Sequence, residues 1–355
     1  MIARRSFLAG LAAAAAARPG WASVGSPAYI AAAKRADGGF VLAGLDVSGA
    51  ERFRVPLPAR GHAGAAHPTR AEVVAFARRP GAYALVIDAS TGAVLTELAP
   101  PAGRQFNGHG LYTDAGATLL TIEQEAEGSA GIVGIWDVAA GYRRLGEFAT
   151  HGIGPHDARL MPDGETLVVA NGGIATDPDD RTKLNIPEMR PSLAYLSPTG
   201  DLLDEVRLDE ELHFNSIRHL ALRDDGLVGF AMQWEGEPAM GYPLLGLHRR
   251  GEALLLAEAP LADELAMDGY AGSIAFAADG TELAITSPKG GRVHRFTAEG
   301  AFIAAVARAD VCGLAAHPEG LIASDGFGGL VTIGTGGTRP LARHDLAWDN
   351  HIVAL

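Results

Sequence analysis

The stretch LMPDGETLVVA, residues 160–170, decides the fold because similar copies of it recur along the chain. In each copy, a turn of polar or glycine residues separates two short segments with alternating apolar residues, which predicts a β-hairpin. The clear copies are LRDDGLVGFA (222–231), FAADGTELAIT (276–286) and AAHPEGLIAS (315–324), and the looser ones are YTDAGATLLT (112–121) and AAHPTRAEVVAFA (65–77). The repetition indicates one structural unit that is used many times.

A second hairpin follows each copy, as in GIVGIWDVAAGYRRLGEF at residues 131–148. Four antiparallel strands in about 40–60 residues have the size of a propeller blade. Six units begin near residues 62, 108, 155, 217, 272 and 312. Residues 28–57 supply three more strands and residues 348–355 supply one. We therefore predict an all-β, seven-bladed β-propeller with four-stranded antiparallel blades, whose ring closes by pairing the N- and C-terminal strands in one blade and so hides sheet edges.

The N-terminus has the composition of an export signal. Arg4 and Arg5 stand in ARRSFLAG and are followed by LAAAAAA at residues 11–17, a short and weakly apolar core. This pattern resembles a twin-arginine signal. We predict a signal peptide at residues 1–22, a single propeller domain at residues 23–355, and a periplasmic location without stable membrane insertion. Cys312 is the only cysteine among 355 residues, which excludes an internal disulfide, and the net charge of −13 disfavours nucleic acid as a partner.

Histidines mark the start of five predicted innermost strands: His62, His109, His156, His219 and His351. Innermost strands line the channel of a propeller, so these residues are expected at one mouth of it. In the repeat alignment, His62 and His156 share one register, and the other three fall one residue later. Adjacent strand residues face opposite sides, so the sequence leaves open whether all five face the channel.

Other polar residues map to the same face of the ring. Glu123, Asn171 and Gln233 end second strands, Arg218 precedes His219, and Arg190 lies in the long insertion at residues 174–191. This insertion and a second one at residues 234–243 are predicted to form a partial lid. The predicted ligand-binding residues are His62, Glu123, Asn171, Arg190, Arg218 and Gln233, and the predicted metal ligands are His109, His156, His219 and His351. Imidazoles and carboxylates suit iron or another transition metal, or acid–base chemistry.

Several short motifs together resemble an uncharacterised bacterial family, a domain of unknown function with a propeller-like pattern. They are FARRPG (76–81), GHG (108–110), HGIGPH (151–156), VVANGGI (168–174), MRPSLAYL (189–196), SIRHLAL (216–222), SPKGGRV (287–293) and WDNH (348–351). The resemblance covers nearly the whole mature chain. Members tend to be encoded beside imelysin-type periplasmic iron-uptake proteins and a di-haem oxidoreductase, which implies a role in iron acquisition. The resemblance transfers no catalytic residues.

Three functions fit these observations. The leading hypothesis is a non-enzymatic periplasmic binding or accessory protein of an iron-uptake system, which takes a metal, a small ligand or an imelysin-type partner at the histidine-lined mouth. The second is a propeller enzyme, either a metal-assisted hydrolase or lactonase or an oxidoreductase accessory, which requires a carboxylate such as Glu123 near the metal. The third is an interaction scaffold whose histidines are structural. Fold alone does not choose among them.

Overall fold

Seven four-stranded antiparallel sheets make up the protein in the computed structural model, which describes residues 20–78, 83–237 and 241–355. Blade 1 contains β1 (Tyr29–Arg35), β2 (Phe40–Leu45), β3 (Glu51–Leu57) and the last strand, β28 (Leu346–Ala354). Blades 2 and 3 contain β4 (Gly61–Ala66), β5 (Glu72–Ala77), β6 (Ala84–Asp88), β7 (Val94–Leu98), β8 (Arg104–Thr113), β9 (Thr118–Glu125), β10 (Ala130–Asp137) and β11 (Arg143–Ile153). Blades 4 and 5 contain β12 (Pro155–Leu160), β13 (Leu167–Asn171), β14 (Ser192–Leu196), β15 (Leu202–Arg207), β16 (Asn215–Leu222), β17 (Val228–Trp234), β18 (Leu245–His248) and β19 (Leu255–Ala257). Blades 6 and 7 contain β20 (Ser273–Phe276), β21 (Glu282–Ser287), β22 (Arg292–Thr297), β23 (Phe302–Ala307), β24 (Val311–His317), β25 (Gly320–Asp325), β26 (Gly329–Gly334) and β27 (Gly337–Arg343).

The first strands of the blades form the inner ring. In order, β28, β4, β8, β12, β16, β20 and β24 each contact the next, and β24 contacts β28 again. The predicted seven-bladed propeller is therefore confirmed. The twin-arginine stretch around Arg4 and Arg5 lies outside the described residues.

Little of the described chain is helical. Its α-helix is α1 (Leu261–Ala266), and short 3-10 turns occur at Trp21–Val24, Asp114–Gly116, Ile186–Glu188 and Glu210–Leu212. Within the described residues, we find no helix with the length and apolar character needed to cross a bilayer.

The opening motif forms the turn that its sequence predicts. The Asp163 carboxylate accepts hydrogen bonds from the backbone N–H groups of Glu165 and Thr166, at 2.9 and 2.8 Å. Gly164 has φ of 75°, a left-handed value that costs glycine little. The chain therefore reverses direction between β12 and β13, and the Asp163 carboxylate accepts the hydrogen bonds of these two backbone N–H groups in the turn.

The hydrophobic core is divided among the junctions between blades. Seven clusters of buried apolar residues occur in the described chain, and each joins one pair of neighbouring blades. Between blades 4 and 5, for example, Tyr195 and Phe230 are fully buried side by side with Met232. Because each sheet buries both faces against its neighbours, middle strands such as β13 and β21 are buried along their whole length, whereas the outer strand β23 alternates.

The ring closes as the sequence predicts. β28 pairs antiparallel with β1, with Tyr29 opposite Ala354 and Ile30 opposite Val353. The ladder is extended by a hydrogen bond from the Leu355 N–H to the Ala28 carbonyl at 2.9 Å. The first and last strands of the propeller thus hide each other's edges.

Candidate metal centre

Five histidines meet at the centre of the inner ring. They are His62, His109, His156, His219 and His351. The ring centroids of His62 and His351 are 4.6 Å apart, and those of His219 and His351 are 4.7 Å apart. All five residues are buried. We call this group the histidine cluster.

Irregular strand pairing brings the two predicted registers together. In each of the five strands, the ladder shifts at the histidine or at the residue before it: between Gly61 and Gly64, between Phe106 and Gly110, between Pro155 and Asp157, between Ile217 and His219, and in β28 opposite Ala31 and Ala33. A β-bulge inserts extra residues into one strand and turns the local side chains. As a result, side chains that a regular strand would point to opposite faces share one centre.

Four members of the cluster present nitrogen donors to a common point. Ring nitrogens of His62, His109, His219 and His351 all lie within 4.8 Å of one another. Imidazole nitrogens bind zinc at about 2.0–2.1 Å, so a small contraction of the cluster brings the four donors to coordination distance. Imidazole is a preferred ligand of zinc, copper, iron and nickel.

Each cluster histidine also has one buried ring nitrogen without a hydrogen-bond partner among the described residues. These atoms are His62 Nδ1, His109 Nε2, His156 Nδ1, His219 Nδ1 and His351 Nε2. An unsatisfied buried polar atom costs about 1–3 kcal/mol. Five such ring nitrogens in one cluster suit a ligand that accepts nitrogen lone pairs, as a metal ion does.

His156 has a different place in the cluster from the other four. Its Nε2 lies 2.9 Å from Nε2 of His219, so the two rings share a hydrogen bond. The sequence predicts His156 as a metal ligand and His62 as a ligand-binding residue. The structure instead groups His62 with the four converging donors and places His156 beside them as a partner of His219.

Asp157 contacts the histidine cluster through His109, and it is not among the site residues predicted from the sequence. Its Oδ1 lies 3.4 Å from Nδ1 of His109, and its Oδ2 accepts a hydrogen bond from the Leu220 N–H at 3.0 Å. Burial alone would raise the pKa of Asp157, but the charge of Arg159 and the hydrogen bond with His109 outweigh burial and hold it below the usual range. The carboxylate therefore stays ionised and orients His109 so that Nε2 faces the cluster.

Four of the five cluster histidines, His62, His156, His219 and His351, are uncharged at neutral pH. Burial, together with the neighbouring imidazoles, lowers the pKa of His62, His156 and His351 well below the ordinary value of 6.5. Burial lowers the pKa of His219 to about 3. Neutral imidazoles carry the free lone pair that metal coordination requires.

Asp157→Asn is expected to weaken metal binding about 10–100-fold, because the carboxylate that orients His109 and favours its ligating tautomer is lost. Competition against a chromophoric chelator measures the affinity. Asp37→Asn is the matched control, since Asp37 is exposed and contacts Arg35 and the Gly39 N–H at the surface. An Asp157→Asn protein that binds metal as tightly as Asp37→Asn would show that Asp157 does not support the site.

A cavity of about 200 Å³ lies directly on one side of the histidine cluster. His62, His156 and His219 line this cavity together with Arg218 and Gln233. The sequence predicts all five of these residues at the channel mouth. The insertion at residues 174–191 contributes Arg181 and Lys183 to the lining. On the opposite side of the cluster, a wider cavity of about 1000 Å³ contains His109 and His351.

Glu123 lies away from this cavity. It is fully buried between strands of blade 3, where Arg144 donates to both of its carboxylate oxygens at 2.8 and 3.0 Å. Thr121 donates a third hydrogen bond at 2.5 Å. Glu123 therefore serves as the buried partner of Arg144 and is not the carboxylate that the enzyme hypothesis places near the metal.

Asn171 and Arg190 are also outside the cavity lining. Asn171 is fully buried and exchanges hydrogen bonds with Thr150, accepting from its hydroxyl at 2.7 Å and donating to its carbonyl at 3.1 Å. It therefore ties blade 4 to blade 3. Arg190 is exposed at the end of its insertion. Of the three predicted second-strand ends, Gln233 lines the cavity, whereas Glu123 and Asn171 pair with other strands, and the repeat alignment does not distinguish these cases.

Histidines outside the cluster have structural roles. His67 Nδ1 accepts hydrogen bonds from the N–H groups of Thr69 and Arg70, each at 3.1 Å, so it holds a turn. His248 Nδ1 lies 2.7 Å from the Tyr195 hydroxyl and links blade 5 to blade 4. His151 is exposed on the outer strand β11, so it forms no local pair with His156.

Comparison with known proteins places the fold and the family. The sequence model of the family described as "Protein of unknown function (DUF1513)" matches residues 55–355. No curated protein matches the chain.

Among solved structures, hydrazine synthase of Kuenenia stuttgartiensis superposes with a TM-score of 0.61 at 13% identity, covering 90% of this chain and 96% of that chain. A protein of unknown function from Bacteroides caccae has a TM-score of 0.48 at 14% identity, covering 79% of this chain and 94% of that chain. At these identities, the first likeness concerns the fold alone.

Proposed function

Because the chain belongs to the DUF1513 family of proteins of unknown function, we propose its function from the site itself: the protein binds one transition-metal ion at the histidine cluster. The observation that carries the proposal is a set of five buried imidazoles, each with a ring nitrogen that has no hydrogen-bond partner in the described part of the chain. Four of these imidazoles offer donors within 4.8 Å of one another. His62, His109, His219 and His351 would hold the ion. The metal would supply positive charge and open coordination positions to a ligand.

The chain's own residues prepare this binding. Burial keeps the imidazoles of His62, His156, His219 and His351 uncharged, and the bulges of the five inner strands fix where the rings point. The buried Asp157 orients His109, and His156 orients His219. These contacts reduce the entropy that the ligands lose when a metal binds, since the rings are already held in place.

Titration of chelator-treated protein with Fe(II) under anaerobic conditions, and with Zn(II), Cu(II) and Co(II), tests the proposal. We expect saturation at one ion per chain and a visible ligand-field spectrum with Co(II). Binding to the folded state also stabilises it, by about 2.7 kcal/mol when free metal is 100 times the dissociation constant. Folded, chelator-treated protein that shows no saturable binding of any of the four ions would refute the proposal.

We further propose that the protein works in the periplasm as a part of iron uptake, which makes iron the ion bound in the cell. The support is the twin-arginine pattern around Arg4 and Arg5 and the gene context that the family resemblance implies. Metal analysis of protein recovered from the periplasmic fraction of native cells tests location and metal together. Recovery in the cytoplasmic fraction, or with zinc or copper in place of iron, would contradict this part of the proposal.

A further inference from the structure

The small cavity above the histidine cluster is basic, although the chain as a whole carries a net charge of −13. Arg78, Arg181, Lys183 and Arg218 line it, and Glu235 is the acidic residue of the lining. The wider cavity on the other side of the cluster is acidic by contrast, since its lining includes Asp157, Asp224, Asp225, Asp279 and Glu299 against Arg159 and Arg223. The positive charge is therefore concentrated on one side of the cluster.

Arg218 is the central element of the basic cavity. It is 6% exposed, and its Nε has no hydrogen-bond partner among the described residues. Its ion pair with Glu235 spans 3.8 Å, which is too long for a hydrogen bond, and Glu235 also pairs with Lys183. A buried guanidinium with unsatisfied N–H groups is costly unless an acceptor meets it. Arginine is well suited to oxyanions because its planar fork binds two oxygens at once.

The insertion at residues 174–191 brings a second guanidinium to the same space. Arg181 has φ of 68°, an unusual left-handed conformation for a residue with a side chain. Burial, followed by the charge of Arg78, lowers the pKa of Arg181, so a second cation lies close to this guanidinium. An anion would relieve this repulsion.

Asn107 offers a hydrogen-bond acceptor to the cavity, whereas the arginines offer donors. It is fully buried and lines the cavity, and its Nδ2 donates to the Pro155 carbonyl at 2.6 Å and to Gln124 Oε1 at 3.0 Å. Those two bonds fix the amide orientation, so Oδ1 is the acceptor, and Oδ1 has no partner among the described residues. A ligand that pairs with both Asn107 and Arg218 needs a hydrogen-bond donor as well as anionic oxygens.

We infer that this cavity binds a small oxyanion that also carries a hydroxyl group, either a hydroxycarboxylate or hydrogen phosphate. The anionic oxygens meet Arg218 and Arg181, and the hydroxyl donates to Asn107. His62, His156 and His219 form the floor, so the bound oxyanion lies against the ion of the proposed metal centre. Only the contact between the oxyanion and the metal ion rests on the proposed function. The arginines and Asn107 define the anion site without the metal.

Calorimetric titration with two matched pairs of probes, malate against succinate and phosphate against sulfate, tests the inference. Each pair differs chiefly in the hydroxyl, and the comparison of malate with phosphate distinguishes the two sources. We expect the hydroxyl-bearing member of at least one pair to bind about ten-fold more tightly, because its partner leaves Asn107 unsatisfied. Arg218→Gln is expected to weaken that binding at least about ten-fold, since a charge-assisted pair is lost.

Two further variants guard against misfolding as the explanation. Arg181→Gln alters an exposed loop and is expected to weaken the same anion, and Arg143→Gln, whose side chain is 69% exposed on β11, is the control that should bind normally. The titrations are run on metal-free and on metal-loaded protein. Equal affinity of Arg218→Gln and the wild type, or no saturable binding of any probe by either form, would overturn the inference while leaving the metal titration to decide the proposed function separately.

Discussion

His219→Ala is expected to lower the affinity of the protein for its metal at least about 100-fold, more than loss of a supporting residue costs. His219 supplies one of the four converging donors and also holds His156 through the bond between their Nε2 atoms. Removing the His219 side chain therefore deletes one metal ligand and leaves Nε2 of His156 without this hydrogen bond. His109→Ala is expected to act similarly, since His109 is the ligand that Asp157 orients. Chelator competition gives the affinities.

His151→Ala is the control for these variants because His151 is exposed on the outer strand and contacts only the Gly200 carbonyl through Nε2. Thermal unfolding of the metal-free variants separates ligation from folding. The scaffold hypothesis makes the opposite forecast: His219→Ala would lower the melting temperature while the wild type and the variant show the same metal binding.

The stability of the metal-free protein is expected to fall steeply as the pH drops from 7 to 5. In the folded state, burial lowers the pKa of His62, His156 and His351 well below 6.5 and that of His219 to about 3. His294, buried in blade 6, has its pKa lowered by burial to about 4. Below pH 6.5, these side chains take up protons in the unfolded chain but stay neutral in the folded protein. Protonation therefore favours unfolding, by up to about 1.4 kcal/mol per pH unit for each histidine.

Urea unfolding in the presence of chelator at pH 7.5, 6.5 and 5.5 measures this dependence. His219→Gln removes one titrating group, so its free energy of unfolding should depend less on pH, by up to about 1.4 kcal/mol per unit below pH 6.5. A free energy of unfolding that stays constant from pH 7.5 to 5.5 would show that these histidines take up protons equally in the folded and the unfolded chain, which would contradict their burial as neutral imidazoles.

The fold could be predicted because its determinants are local. The Asp163 turn uses a carboxylate and a left-handed glycine that the sequence displays directly, and repetition of that turn fixes the number of blades. Closure through β28 follows from counting strands. The side-chain partner on another strand is not visible in a local motif. For this reason Glu123 and Asn171 are predicted at the mouth, whereas Glu123 pairs with Arg144 in the same blade and Asn171 with Thr150 in the neighbouring blade.

The histidine cluster could be predicted only in outline. Repeat alignment identifies five strand-entry histidines, but whether they share a face depends on how many residues each inner strand inserts at its bulge. That number is set by contacts with the next blade, such as the Asp157 carboxylate on the Leu220 N–H, and no short motif reports it. The aspartate next to His156 in GPHDA was visible, and its role beneath His109 was not.

The strand that closes the ring also carries His351, while the other converging donors lie on β4, β8 and β16. A metal held by all four would fasten the seam between β28 and β1 from the channel side, in addition to the hydrogen-bonded ladder. Ring opening at this seam would then require breaking the coordination bond to His351. Bound metal is therefore expected to slow opening of the seam, which hydrogen exchange along β28 in metal-free and metal-loaded protein can follow.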